Sequence, residues 1–331
     1  MIQEILVAGN RGPCGGVNMS LEATNQTLDI ARGIEPVYVN HEVVHSKPVM
    51  RALEKRGLIN VENDWDRVPN GSIMIFSAHG APPSSYEIAR EKEFRLVDVT
   101  CQLVSVVQRD GVREQAAGKY IFYIGVDGHP ETVGVMERLN PEKSALVQHS
   151  RDIEELSIPD NQMAVVLTQT TLSTREILGI LKGIKSKFGD RVEIPGRKET
   201  FNAQGNLCYA TDTRQAAVED LILQKGVGML FIGGSETSHN SLMLKEIGDN
   251  AEIPSFLIDD PAKIDARVFK PNIRRIGVSS GASMPDEYLM PIVERIMELN
   301  PNHELRFLPQ VIDEKDLTFA LPRQQIEAIR H

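Results

Sequence analysis

Along most of the chain, short apolar runs alternate with longer stretches in which apolar residues recur at helical spacing. The runs at 5–8, 36–39, 72–76, 96–99, 120–124, 163–167, 227–232, 255–258 and 274–278 predict strands. Between them, 18–31, 47–56, a segment opening at Pro82 or Pro83, 101–117, 130–139, 173–187, 212–224, 238–248 and 286–299 predict helices. Several ends carry their own punctuation. Gly57 closes one helix, and Ser173 with Glu176 three residues on makes a capping box. Regular alternation of this kind predicts an α/β fold built on parallel sheets with right-handed crossovers. The tail after Pro301 breaks the pattern, and its two apolar runs, at 305–308 and 317–320, read as an edge hairpin or an arm.

Composition narrows the class. The 331 residues include 41% hydrophobic positions, enough for a sizeable core and against disorder. Three cysteines are too few for a disulfide scaffold. The longest apolar stretches fall well short of the roughly 20 residues that span a bilayer. The first residues lack a basic region followed by a long apolar one, so a reducing, cytoplasmic compartment is expected. With 36 Lys and Arg against 46 Asp and Glu the net charge is −10, which argues against a general nucleic-acid binder.

Length alone gives about two domains, but the cysteines point to three. Cys14, Cys101 and Cys208 lie 87 and 107 residues apart, each just before a helix-like run. The expected organisation is three similar modules with small, mainly parallel sheets around a central cavity. They would cover 1–100 (with the N-terminal strand and Cys14), 101–207 (with Cys101) and 208–300 (with Cys208), followed by a tail at 301–331. Each cysteine would then sit at the carboxyl end of a sheet, where open α/β folds place ligands.

Three thiols in a reducing compartment can be ordinary packed side chains. Zinc more often uses close pairs such as C-x-x-C, and there are none. The glycines around Cys14 (Gly12, Gly15, Gly16) bare backbone N–H groups that suit anions or cluster sulfides. Three distant thiolates also fit an iron–sulfur cluster with one iron left open to act as a Lewis acid.

Six polar loops follow predicted strands, at 41–45, 77–80, 125–131, 168–173, 233–241 and 279–283, and four of them carry histidine. Any one such loop is what a helix N-cap requires. Six together, rich in Ser, Thr, Asn and His beside helix N-termini, form an anion site suited to phosphate. Neither a P-loop nor a G-x-G-x-x-G fingerprint occurs, so the donors are neutral groups and histidines. His129-Pro130-Glu131 sets a carboxylate beside a histidine, a pairing that serves proton donation, although an acid in a helix's first turn is also stabilised by the dipole.

Taken in order, Arg11-Gly12-Pro13-Cys14-Gly15-Gly16-Val17, His41-Glu42-Val43-Val44-His45, Phe76-Ser77-Ala78-His79-Gly80, Thr100-Cys101, Gly128-His129-Pro130-Glu131, Thr168-Gln169-Thr170-Thr171-Leu172-Ser173, Cys208-Tyr209-Ala210-Thr211 and Gly281-Ala282-Ser283 resemble the motifs of the IspH/LytB family of 4-hydroxy-3-methylbut-2-enyl diphosphate reductases, from Ile5 to about Glu287. The resemblance implies one 4Fe–4S cluster held by Cys14, Cys101 and Cys208, with the fourth iron open to the substrate hydroxyl. It implies two-electron reductive dehydroxylation of the allylic diphosphate (HMBPP) to isopentenyl and dimethylallyl diphosphate, with a ferredoxin or flavodoxin type electron donor. Glu131 would supply the proton, with Thr170 and His129 arranging the hydroxyl. His45, His79, His129, Thr170, Ser238, His239, Asn240 and Ser283 would form the substrate site. No nucleic-acid or membrane partner is implied, and the chain would be a monomer or a homodimer.

Four features depart from the family pattern. Gln102 follows Cys101 where proline is common, Ser238-His239-Asn240 replaces Ser-Ser-Asn, Asn40 stands where a basic residue is familiar, and 200–206 is long. A related diphosphate as substrate, an aconitase-like hydro-lyase, and a non-enzymatic cluster sensor are the alternative readings.

Overall fold

A computed structural model of the chain describes residues 2–195, 206–314 and 318–329. In chain order the strands are β1 (Glu4–Val7), β2 (Val37–Val39), β3 (Leu58–Asn60), β4 (Ile73–Phe76), β5 (Arg95–Asp98), β6 (Tyr120–Ile124), β7 (Ser144–Val147), β8 (Ala164–Thr168), β9 (Val192–Glu193), β10 (Val227–Gly233), β11 (Ser255–Ile258), β12 (Arg275–Ser280) and β13 (Glu304–Phe307). The α-helices are α1 (Gly15–Ala31), α2 (Lys47–Lys55), α3 (Pro83–Glu91), α4 (Gln102–Ala116), α5 (Pro130–Met136), α6 (Thr174–Phe188), α7 (Tyr209–Leu223), α8 (His239–Asn250), α9 (Asp286–Leu299) and α10 (Arg323–Ala328). All nine predicted strands and all nine predicted helices are present, with ends shifted by up to three residues. Among the described residues no helix is long and apolar enough to cross a membrane.

The strands form three small sheets, ordered β11-β10-β12-β1-β13, β3-β2-β4-β5 and β7-β6-β8-β9, and every pairing is parallel. Backbone contacts divide the chain into two units. The first comprises Met1–Asn18, Val44–Arg56 and Ala210–Thr318, and the second Met19–Val43, Gly57–Tyr209 and Phe319–His331.

The first unit holds the five-stranded sheet, whose strands alternate between two apolar layers. Ile5, Val7, Phe231, Ile276 and Val278 pack with Leu289, Ile292, Val293 and Ile296 of α9. Leu6, Ala8, Leu230 and Ile232 pack with Val218 and Leu221 of α7 and Leu244 of α8. Both faces are covered, as an all-parallel sheet requires. β1 lies between β12 and β13, pairing Ile5 with Ile276 and Leu305. The N-terminal strand, expected with the first hundred residues, is therefore built into the sheet of the C-terminal third. Of the edge hairpin or arm expected in the tail, no hairpin is present among the described residues; the tail adds a parallel edge strand, β13, and then α10. Residues 318–320 carry no strand, and Leu317 lies outside the described residues.

The second unit holds the other two sheets. One side of β6 and β8 (Phe122, Ile124, Val166) packs on α6 through Ile177, Ile180, Leu181 and Ile184. The other (Ile121, Tyr123, Val165, Leu167) packs on Val107 of α4 and Val135 of α5. The strands that sequence pattern misses, β3, β7 and β9, all lie at sheet edges. There a short, half-exposed strand needs little hydrophobic pattern. The exposed edge of β5 is capped by α10, where Gln325 Oε1 accepts from Asp98 N at 2.8 Å.

Among the described residues the largest fully buried side chain is a charged one, Arg214 on α7, 1% exposed. Its guanidinium donates to the carbonyls of Gly12 (3.0 and 3.2 Å) and Pro13 (3.3 Å) and is ion-paired to Glu314. It thus fastens the turn that follows β1 to the tail that follows β13. Removing a buried partner of this kind leaves a carboxylate and two carbonyls unsatisfied. Arg214→Ala is expected to lower unfolding free energy by about 3 kcal/mol, measured by urea denaturation, whereas substitution of the exposed Arg51 leaves it within about 0.5 kcal/mol.

Candidate active-site residues

In the second unit, parallel register brings two loops side by side. Ile124 is paired with Thr168, so the chain leaves β6 and β8 at the same level. The buried Gln169 stitches the two loops together: its N–H donates to Ile124 O at 2.8 Å, and its Oε1 accepts from Val126 N at 2.9 Å and Thr132 Oγ1 at 3.2 Å. Sequence reasoning gave Gln169 no role of its own. A long polar side chain in the middle of a Thr-rich turn was the available signal.

The stitched loops place Glu131 against Thr170. Glu131 is the second residue of α5 and 1% exposed. Thr170 N donates to its Oε1 at 2.7 Å, and Thr170 Oγ1 donates to its Oε2 at 3.0 Å. Burial away from water pushes the carboxyl up to about 7, and the two hydrogen bonds from Thr170 oppose that shift without cancelling it. His129 caps the same helix, its Nδ1 accepting from Glu131 N at 3.2 Å, so the remaining ring proton of a neutral His129 is on Nε2.

His129 ends a row of imidazoles. The ring of His79, in the loop after β4, lies edge-on to His129 with centroids 5.8 Å apart and edge-on to His41 at 6.0 Å. The loops carrying His41 and His79 are joined by Asn40, buried at the end of β2, whose Oδ1 accepts from Ser77 N at 3.0 Å. The family's familiar basic residue would have no place in this buried link. Two cysteines connect to the same loops: Cys101 N donates to Ala78 O at 3.0 Å, and Cys208 N donates to Thr170 O at 2.8 Å.

The first unit, by itself, carries serines, an asparagine and the remaining cysteine. Ser238 caps α8, accepting from Ser241 N, and its Oγ also takes a hydrogen bond from Ser241 Oγ (3.0 Å) and lies 3.4 Å from Ser283 Oγ. Ser283 Oγ donates to His45 O at 2.9 Å, and Ser235 Oγ accepts from Lys47 N, the first residue of α2, at 2.8 Å. The starts of α2 and α8 are thereby held together with the end of β12. Gly281 permits this approach, since a Cβ there would collide with Ser241 Oγ. Asn240 Oδ1 accepts from Ala282 N at 3.1 Å, and its buried Nδ2 has no acceptor among the described residues. The Ser46 hydroxyl, at the cap position of α2, is likewise buried without a partner among the described residues and makes no cap bond. Buried donors without acceptors, beside two helix N-termini, are what an anion satisfies. Ser46 and Ser235 were not among the residues singled out from sequence, although both lie in or beside the motifs. His239 is the half-buried first residue of α8.

The three cysteines form no disulfide, and each immediately precedes a helix: Cys14 before α1, Cys101 before α4 and Cys208 before α7. Cys14 belongs to the first unit and the other two to the second. The turn before Cys14 is held by Arg214 and by Gly12 N donating to Ser280 Oγ at 3.0 Å. Each thiol, taken by itself, sits at the N-terminal end of a helix, where negative charge is favoured, and soft thiolates are the donor type that iron–sulfur clusters use.

The family model described as LytB protein matches residues 5–297. A 4-hydroxy-3-methylbut-2-enyl diphosphate reductase of Aromatoleum aromaticum is 36% identical over 322 residues, covering 97% of each chain. One from Francisella philomiragia subsp. philomiragia is 38% identical over 325 residues, covering 97% of this chain and 96% of its own. The solved structure of the E-1-hydroxy-2-methyl-but-2-enyl-4-diphosphate reductase from Plasmodium falciparum superposes with a TM-score of 0.88 at 27% identity, covering 100% of this chain and 99% of the other. With nearly the whole chain matched by the family model and by full-length relatives, the protein belongs to the LytB family.

Proposed function

We propose that this protein reduces 4-hydroxy-3-methylbut-2-enyl diphosphate to isopentenyl and dimethylallyl diphosphate. Two electrons and two protons enter, the allylic C–O bond breaks, a C–H bond forms, and the oxygen leaves as water. One observation carries the reading: a buried carboxyl, raised to about 7 by that burial, that accepts hydrogen bonds from the backbone N–H and the hydroxyl of Thr170. A carboxylic acid kept neutral near physiological pH is a proton donor in waiting.

Cys14, Cys101 and Cys208 would hold a 4Fe–4S cluster with one iron free of cysteine. Bound there, the cluster would supply the electrons and polarise the hydroxyl as a Lewis acid. The remaining work belongs to side chains. When Glu131 is protonated, the 3.0 Å contact between its Oε2 and Thr170 Oγ1 reverses, the carboxyl donating, and the hydroxyl's own proton is freed to pass to the departing oxygen as the carboxyl proton moves onto Oγ1. His129, protonated at Nε2, orients the hydroxyl. His45, His79, Ser238, His239, Asn240 and Ser283 take the diphosphate with neutral donors, which leaves the carboxyl of Glu131 without a fixed cation that would ionise it. The compartment is cytoplasmic, the electron donor a ferredoxin or flavodoxin type protein, and the chain acts as a monomer or homodimer. A hydro-lyase would form product without reductant, and a sensor would not turn over, so the dependence of turnover on an added electron donor separates all three readings.

Glu131→Gln is expected to keep the cluster absorption and to cut turnover by about 10²–10⁴-fold, measured anaerobically with a reduced dye. In the wild type, turnover should decline as pH rises through about 7, where Glu131 loses its proton, and the variant should lack that limb. Stability follows the same sign. The folded carboxyl binds its proton more tightly than the unfolded one, so its stabilising contribution is present at low pH and lost as pH rises from 4.5 to about 7. The wild type should therefore lose about 3 kcal/mol more than Glu131→Gln between pH 4.5 and 8 in urea titrations. Cys101→Ser or Cys208→Ser should purify with substantially less iron and sulfide than the wild type; normal content in either would remove that thiol from the ligand set.

A further inference from the structure

Behind His79 stands a pair that the proposed chemistry does not use. His41 Nδ1 lies 2.6 Å from Glu62 Oε2, and the side chains are 20% and 56% exposed. Exposed pairs of this kind add little stability, yet this one is built with care. Glu62 and Asn63 are consecutive non-glycine residues in the left-handed region, φ 47° and 60°. That conformation costs free energy and persists only where its surroundings fix it. Asn60 does so from both sides, its Nδ2 donating to Glu62 Oε1 at 2.5 Å and its Oδ1 accepting from Glu62 N at 3.2 Å. Asn63 N donates to Asn40 O at 2.7 Å, which ties the bend to the residue just before His41. The strain therefore delivers one carboxylate oxygen to one ring nitrogen.

We propose that Glu62 and His41 are a positioning pair for the diphosphate-binding histidines, an inference that rests on the reading of the site given above. The carboxylate accepts from Nδ1 and so fixes both the protonation pattern and the rotation of the His41 ring, as second-row carboxylates do for functional histidines. The His41 ring meets His79 at 64° with centroids 6.0 Å apart, and His79 meets His129 at 88°. A ring held at the outer end of such a row sets the rotation of the next, and hence the direction in which His79 presents its N–H to an anion. Neither Glu62 nor His41 touches the substrate in this scheme.

The test is calorimetric titration of inorganic diphosphate into the anaerobic holoenzyme, with thermal melting as a check on folding. Glu62→Gln and His41→Phe should each weaken binding about 5-fold, the double variant should be no weaker than either single one, and Glu62→Asp should restore most of the affinity. Unchanged affinity in Glu62→Gln, or losses that add in the double variant, would overturn the proposal. Failure of the wild type itself to bind diphosphate would instead overturn the reading of the site on which the pair depends.

Discussion

Parallel pairing is the constraint from which the rest follows. A strand whose neighbours all run its way cannot return by a tight turn, so the chain crosses back through a helix after almost every strand. The carboxyl ends of all strands in a sheet then share one rim, and the crossover helices begin there with their N–H groups unsatisfied. In this molecule those rims hold the polar loops. Cys101 follows β5, His79 follows β4, Glu131 follows β6, Thr170 follows β8, and Ser238 follows β10. Within each sheet, polar donors need no separate scaffold, because the strand direction has already brought their loops to one edge.

Two buried ionisable groups show opposite uses of the same low-dielectric interior. Arg214 is given an acid and two backbone carbonyls and acts as a clamp. Glu131 accepts from one threonine, and burial raises its carboxyl to about 7 against those two hydrogen bonds. The difference lies in the partners and not in the depth, since both groups are 1% exposed.

Much of this was legible in the sequence. Strands such as Ile73–Phe76 and Tyr120–Ile124 are buried on both faces and read as unbroken apolar runs, and the Ser173–Glu176 capping box marked the start of α6. The loops with His79, His129 and Thr170 could be assigned to one kind of site because each follows a strand. What escaped depends on long-range pairing. Nothing local in Glu4–Val7 says that its neighbours are Arg275–Val278 and Glu304–Phe307. The clamp of Arg214 on Gly12 and Glu314, the stitch made by Gln169, and the unpartnered Ser46 likewise exist only once distant segments meet. The long segment before Cys208 (200–205) lies outside the described residues.

The central position of β1 also bears on how the molecule is made. Its partners on both sides lie at the far end of the chain, β12 on one edge and β13 on the other. On the ribosome, the first strand therefore emerges long before anything exists for it to pair with. The sheet that seats Cys14 closes only after nearly the whole polypeptide has been synthesised, a slow, high-contact-order step. The sheets of the second unit join strands closer together in sequence and can form earlier. A nascent chain arrested before β12 would then present Cys101 and Cys208 in their folded surroundings while the sheet beside Cys14 is still incomplete.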